Sequence, residues 1–265
     1  MFKLNIDDAK VIVKKYFNDE LKFSFSVSDI KNSHLYLIEN IKNTYQCLET
    51  IIQNKSIKHL IQNSIQDLDS KLKVLLKLID RKDSFFDPNT KLIDDNSQIG
   101  IFEIDKDRDT FVENALNQMS VNLDMIKYQY LKQIAIELIM NTQIDAPLLA
   151  NKNNQFLNIK KSLLVLEISE DKDLFSISTI DYFGSLDCYK LLNHISDSIT
   201  KQYKDTIGKN AVGAGLGSAL CFEHCDSVYL GVKKNNVTRV SYVVPFRVSG
   251  KKIFEVQKSI HVFDY

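Results

Sequence analysis

Apolar positions along the chain change their pattern near residue 95. Before it, helical spacing dominates. Tyr45, Leu48, Ile51 and Ile52 recur at three- and four-residue intervals between Lys42 and Gln53. Leu68, Leu72, Leu75, Leu76 and Ile79 form one stripe between about Ser64 and Asp80. His34 to Ile38 suits a buried strand or a helix start, while Ile6 to Tyr16 and Leu21 to Phe25 are apolar without a clear period. The stretch Arg81 to Thr90, with Asp87-Pro88-Asn89 inside it, then breaks the pattern, and Asp94-Asp95-Asn96-Ser97 prolongs the break. The expectation is a boundary there: residues 1–95 as a mostly helical regulatory or interaction module, residues 96–265 as a second domain.

Beyond the break, strand and helix patterns alternate. Gln98 to Ile104 alternates like a strand, and the acids of Asp105-Lys106-Asp107-Arg108-Asp109 suit a helix first turn. Phe111, Ala115, Leu116 and Met119 give that helix its apolar face. A further helix is predicted from about Asp124 to Thr142, ending before Pro147. Leu163 to Ile168 and Leu174 to Ile180 predict two strands joined by a turn at 169–173, followed by a short helix from Tyr189 to Ile195. Ser196 to Val212 is polar and turn-rich. Strands are predicted at Val228 to Val232, Val237 to Phe246, Ile253 to Val256 and Ile260 to Phe263, with turns at Asn235-Asn236 and Ser249-Gly250. This grouping indicates an α+β chain.

Composition narrows the function classes. The chain's 265 residues are 44% hydrophobic, enough for one large or two modest domains. Its 34 basic and 34 acidic residues cancel, so no global field recruits nucleic acid or an anionic membrane. Lys233, Lys234, Arg239, Arg247, Lys251, Lys252 and Lys258 make the last part locally basic, as solvated hairpin faces and edge protection would. Met1 to Asp8 lacks the apolar core of a signal peptide and no apolar run is long enough for a bilayer, so the expected location is the cytoplasm. Cys47, Cys188, Cys221 and Cys225 show no disulfide-framework spacing. Cys221, His224 and Cys225 lie close together but lack a fourth metal ligand, and a half-buried helix accounts for them.

Three places carry candidate chemistry. Glu137 and Asn141 sit one turn apart in the nearly apolar Ile134 to Met140 stretch, where burial is costly unless both are partnered. They form either an internal hydrogen bond or a Mg²⁺-phosphate site, with Asn141 as oxygen ligand and Glu137 acting on a water or hydroxyl. Asp181 ends a core strand three residues before Gly184, placed either to accept from an exocyclic amine such as that of adenine or to close an Asx turn. Gly213, Gly215 and Gly217 are three of only eight glycines, packed into five positions ahead of a helix start. Such a bend suits a phosphate, or simply the entry to a helix.

In this order the motifs resemble those of the GHKL (Bergerat-fold) ATPases, over roughly residues 98–246. The nearest branch is that of the anti-sigma-factor serine kinases and the histidine-kinase-like ATPase domains of bacterial regulators. Glu137 and Asn141 match the N box, Asp181 and Gly184 the G1 box, and Gly213, Gly215 and Gly217 the G2 box, with Ser196 to Val212 where the ATP lid belongs. The resemblance implies a two-layer α/β sandwich with a mixed sheet. It also implies ATP as ligand, Mg²⁺ on Asn141, adenine on Asp181 and Glu137 as the base of a kinase or ATPase. The partner implied is a regulatory protein: a sigma factor, an anti-sigma antagonist or a response regulator. The alternative is a non-catalytic module that uses the same surface to hold that partner. Two departures bear on the choice. Phe183 stands where the G1 box has its first glycine, and Thr142 and Asp145 replace the small and basic residues that often follow the N-box asparagine. The first 95 residues resemble a decayed receiver-type module, and the Ser64 to Asp80 helix is a candidate homodimer interface. His34, which lacks an adjacent acid, is the one candidate acceptor for self-phosphorylation.

Overall fold

The computed structural model describes residues 35–38, 45–62, 68–119, 125–152, 160–205, 216–246 and 257–265. The order along the chain is β1 (Leu35–Ile38), α1 (Tyr45–Gln53), β2 (His59–Gln62), α2 (Leu68–Asp80), a 3₁₀ turn (Lys82–Phe86), β3 (Gln98–Glu103), α3 (Arg108–Gln118) and α4 (Met125–Met140). A π turn (Asn141–Asp145), α5 (Ala146–Lys152), β4 (Leu163–Ile168), β5 (Leu174–Asp181), α6 (Cys188–Asp205), α7 (Leu216–His224), β6 (Ser227–Lys233), β7 (Val237–Pro245) and β8 (Ser259–Asp264) follow. The expected strand at Ile253 to Val256, the turn at Ser249-Gly250, the two apolar pieces before residue 26 and His34 all lie outside the described residues.

The fold is α+β, with one mixed sheet in the order β1-β2-β8-β6-β7-β5-β4-β3. β1 and β2 run parallel, as do β6 and β8, and the remaining neighbours are antiparallel. The two-residue period of the strands sorts their side chains between two cores. Leu164, Leu166, Phe175, Ile177, Leu230 and Tyr242 face the main helical layer, where they meet Leu48, Leu116, Leu138, Leu192 and Phe222. Val165, Ile180, Tyr229, Val243 and Phe263 face the other way, onto Leu72, Leu75 and Leu78 of α2 and onto Phe85 and Phe86.

The boundary expected at residue 95 does not separate two cores. β2 pairs antiparallel with β8, residues of α1 join the main core, and α2 covers the sheet's second face. The break itself is a strap fastened to the sheet rather than a linker. Phe85 stacks on Phe263 at 4.6 Å and meets Phe86 edge-on at 5.4 Å. Burying each phenylalanine contributes roughly 1.5–3 kcal/mol. Two charged side chains from the sheet hold the strap's backbone. Arg239 of β7 donates to the carbonyls of Phe85 (2.9 Å), Asp87 (3.0 Å) and Thr90 (3.3 Å). Glu167 of β4 accepts from the amides of Leu92 (2.7 Å) and Ile93 (3.0 Å) and from the Ser97 hydroxyl.

Arg239 is therefore not a solvated hairpin residue, and neither is Lys258: they are 1% and 2% exposed. Lys258 donates to the carbonyls of Phe222, Glu223 and Cys225, so it satisfies the orphan carbonyls at the end of α7 with a charge that suits the negative end of the helix dipole. α4 ends at Met140, before Pro147 as expected; the π turn then leads into α5, which starts at Ala146 and places Pro147 in a first turn where its missing N–H costs little. A later helix runs further than expected. α6 continues to Asp205, so the first ten residues of the expected lid are helical.

His261 of β8 is fully buried and neither of its ring nitrogens has a hydrogen-bond partner. It lies among the rings of Tyr229 (4.6 Å) and His59 (5.6 Å), and burial, with His59 and Lys71 nearby, holds its pKa well below the usual value. Folded chain therefore resists a proton that unfolded chain accepts below about pH 6.5, and stability falls as the pH drops through that value. Urea midpoints at pH 7.5 and pH 5.5 check this. His261→Leu is expected to exceed wild type by more at pH 5.5, and an equal margin at both pH values would contradict it.

Candidate functional site

Glu137 lies in the penultimate turn-forming stretch of α4, and Asn141 opens the π turn one turn later. α4 packs against α7, and the Glu137 carboxylate is among their contacts. Its Oε1 accepts from the Ser218 hydroxyl at 3.0 Å, and the Ser218 backbone and the Asn141 side chain also hydrogen-bond to the carboxylate. Gly217 touches the same group so closely that a Cβ there would overlap both carboxylate oxygens. Only glycine permits that approach. Burial is the main cause that pushes the Glu137 carboxyl above its ordinary range; the Ser218 hydroxyl pulls it back, and the charge of Asp145 pushes it up again.

β5 brings Asp181 to the same region. Its register partner is Thr238 on β7, and the alternation that points Phe175 and Ile177 at the helical layer points Asp181 there too. The π turn packs on β5, and the Ser185 hydroxyl donates to the Ala146 carbonyl at 3.0 Å. Asp181 is 4% exposed, and its Oδ1 accepts from the Phe183 amide at 2.9 Å. Burial raises its pKa to about 6 against the opposing pull of that amide.

The turn after Asp181 accommodates Phe183 without strain. Positive φ falls on Gly184 (57°), and among non-glycine described residues only on Lys172 and Asn235. Gly184 is required by packing as well as by conformation: a Cβ there would run into the backbone of the β6–β7 turn at Lys233, Asn235 and Asn236, and its carbonyl accepts from the Asn235 amide at 3.0 Å. Gly184→Ala is expected to cost about 2–4 kcal/mol, combining strain at positive φ with backbone displacement. A chemical-denaturation midpoint within about 0.5 kcal/mol of wild type would refute this assignment.

The structure thus brings Glu137, Asn141, Gly217, Asp181 and Gly184 to neighbouring elements at one end of the helical layer. Gly213 and Gly215, together with residues 206–212 of the expected lid, lie outside the described residues. A cleft of about 470 Å³ opens beside Gly184, lined by Ser185, Tyr189, Val232, Lys234 and Tyr265 among others; Glu137, Asn141 and Asp181 do not line it. Ser218 is the participant sequence reasoning missed. It was one residue of a helix start, and only its position opposite Glu137 gives it a role.

Donor chemistry at this end suits a small hard cation. Glu137, Asn141 and Asp145 carry oxygen donors spaced four residues apart along the helical stretch, and Mg²⁺ is typically held by one or two carboxylates together with phosphate oxygens. Cys221, His224 and Cys225 belong to a buried helix. The ring of His224 lies 4.1 Å from that of Tyr130 and burial lowers its pKa to about 4, while the Cys225 thiol is pushed up to about 12. Among the described residues no group of three or more His, Cys, Asp or Glu could hold a metal ion by itself, and no helix is long and apolar enough to cross a membrane. No family model matches the chain, and no curated protein matches its sequence.

Proposed function

We propose that the chain is an adenine-nucleotide-binding regulatory module of the GHKL type, acting on a partner protein. The observation that carries this reading is the meeting of Glu137 on α4, Asn141 on the π turn and Gly217 on α7, with Asp181 on β5, the strand on which α4 and the π turn pack. In it, the Asp181 carboxylate, which already accepts from the amides of Phe183 and Gly184, also accepts from the exocyclic amine of adenine. Asn141 would hold Mg²⁺, which would neutralise charge on the phosphates. Glu137, with a carboxyl already raised by burial, takes the proton of an attacking serine or threonine hydroxyl. The location proposed is the cytoplasm, and the partner a sigma factor, an anti-sigma antagonist or a response regulator.

A second reading, in which the same surface holds its partner without turnover, is favoured by one feature. Met140, Ile144 and Leu148 are 37%, 45% and 54% exposed and recur every four residues alongside Asn141 and Asp145. An apolar stripe next to the site suits a protein contact. Titration with a fluorescent ATP analogue, with and without Mg²⁺, tests both. Mg²⁺-dependent binding lost in Asp181→Asn supports the nucleotide reading. Binding without phosphate transfer to any partner, unchanged in Glu137→Ala, supports the second, and absence of uptake removes the first.

A further inference from the structure

The start of α7 already holds an anion, and that anion belongs to the chain. A helix N-terminus presents unpaired amides and the positive end of a dipole, which favour a negative group. Here Glu137 fills that place. It accepts from the Ser218 hydroxyl at 3.0 Å and from the Ser218 backbone, and it lies against Gly217 with no room for even a methyl group between them. A phosphate arriving at the same turn would meet a carboxylate in its position, with Asp145 adding to the repulsion.

We propose that Glu137 is a built-in occupant of the α7 phosphate cradle, an autoinhibitory contact that a nucleotide must displace to bind. This rests on the nucleotide reading above and deepens it. The empty site is closed by its own acid, and phosphate entry is the event that releases that acid toward a hydroxyl. Occupancy and availability of the base are thereby one transition, and the empty module holds its base where it cannot act. Groups facing Glu137 from the surrounding elements are Asn141 and Asp145 on the π turn, Ser218 and Cys221 on α7, and Tyr242 on β7. None of these is a cation able to hold the carboxylate on its own; the α7 amides and hydroxyl do so.

Glu137→Gln keeps the side chain's shape and an acceptor for Ser218 but removes the charge that competes with phosphate. It is expected to bind the fluorescent ATP analogue at least about tenfold more tightly than wild type, equivalent to 1.4 kcal/mol. The full chain is used, with matching melting curves as the check that both proteins are folded. Equal or weaker binding by the variant, with wild type binding measurably, overturns the proposal and leaves the nucleotide reading standing. Binding by the variant alone supports it, and binding by neither overturns both.

Discussion

Replacing Arg239 by methionine lowers stability by about 3–5 kcal/mol, the range for removing one member of a buried charged network. The guanidinium is fully buried on the sheet face opposite the main helices, and it donates to three carbonyls of the strap and to the Ser178 hydroxyl. Methionine fills the volume but leaves those carbonyls without donors, and it removes the positive charge near Glu167, whose carboxyl burial already raises. Burial lowers the Arg239 pKa to about 10, so the charge is present throughout the neutral range. Lysine at 239 restores the charge but not the planar fork that serves several carbonyls at once, so it recovers only part of the loss. Urea unfolding measures the loss, and limited proteolysis reports whether cleavage between residues 81 and 97 accelerates. A loss below about 1 kcal/mol, within the range of an ordinary substitution, would mean that Phe85 and Phe86 hold the strap unaided.

That strap shows where the sequence was hard to interpret. Asp87-Pro88-Asn89 and Asp94-Asp95-Asn96 are genuine turn signals, and local turns form at both: the Asp87 carboxylate accepts from the Asn89 amide and that of Asp94 from the Asn96 amide. A turn signal says that regular structure ends; it does not say whether the chain then leaves the domain or lies on it. The decisive groups, Arg239 and Glu167, are 149 or more and 70 or more residues away from the strap positions they bind. No local pattern carries that distance. β2 escaped for a different reason: His59-Leu60-Ile61-Gln62 is four residues long and two of them are polar, yet all four are buried between β1 and β8. By contrast the β4–β5 hairpin was plain, because two apolar runs flank the polar turn at 169–173. The start of α3 was also legible, since Asp107 caps it through the Thr110 amide.

Legibility of the site followed the same division. Glu137 and Asn141 could be found because polar groups on a nearly apolar helix demand partners, and the structure supplies one partner in Asn141 itself. What the spacing could not say was that the third partner is Ser218, on a helix 81 residues on. Glycine at 217 was legible as a close approach, but the group that approaches is a side chain of the chain itself. Of the two alternatives weighed for the acid and amide pair, the internal hydrogen bond is made.

Asp181→Asn is expected to raise stability and abolish nucleotide binding in a single variant. The carboxylate is 4% exposed, and its pKa of about 6 leaves it mostly ionised at neutral pH in surroundings that disfavour the charge. From the ordinary aspartate value of 3.8 that shift corresponds to an upper bound of about 3 kcal/mol, so a gain of about 1–3 kcal/mol at pH 7 is expected when the charge is removed. The sign over pH follows from linkage. The folded wild type binds a proton more readily than the unfolded chain between about pH 6 and pH 4, so its stability rises on acidification across that window while the variant's is unaffected by this group. The advantage of asparagine therefore fades below pH 6. Binding fails for a geometric reason. Asparagine has one acceptor oxygen for the Phe183 and Gly184 amides, and its amide nitrogen then turns a donor toward the donor of an exocyclic amine. If Asp181 serves only to close the strand in an Asx turn, the same substitution leaves that turn intact and changes no ligand affinity. Thermal melts at pH 7.5 and 4.5, run beside the ATP-analogue titration, separate the two cases. A more stable protein that has lost its ligand is the signature of a charge kept buried for function, whereas a less stable variant would remove the argument from burial altogether.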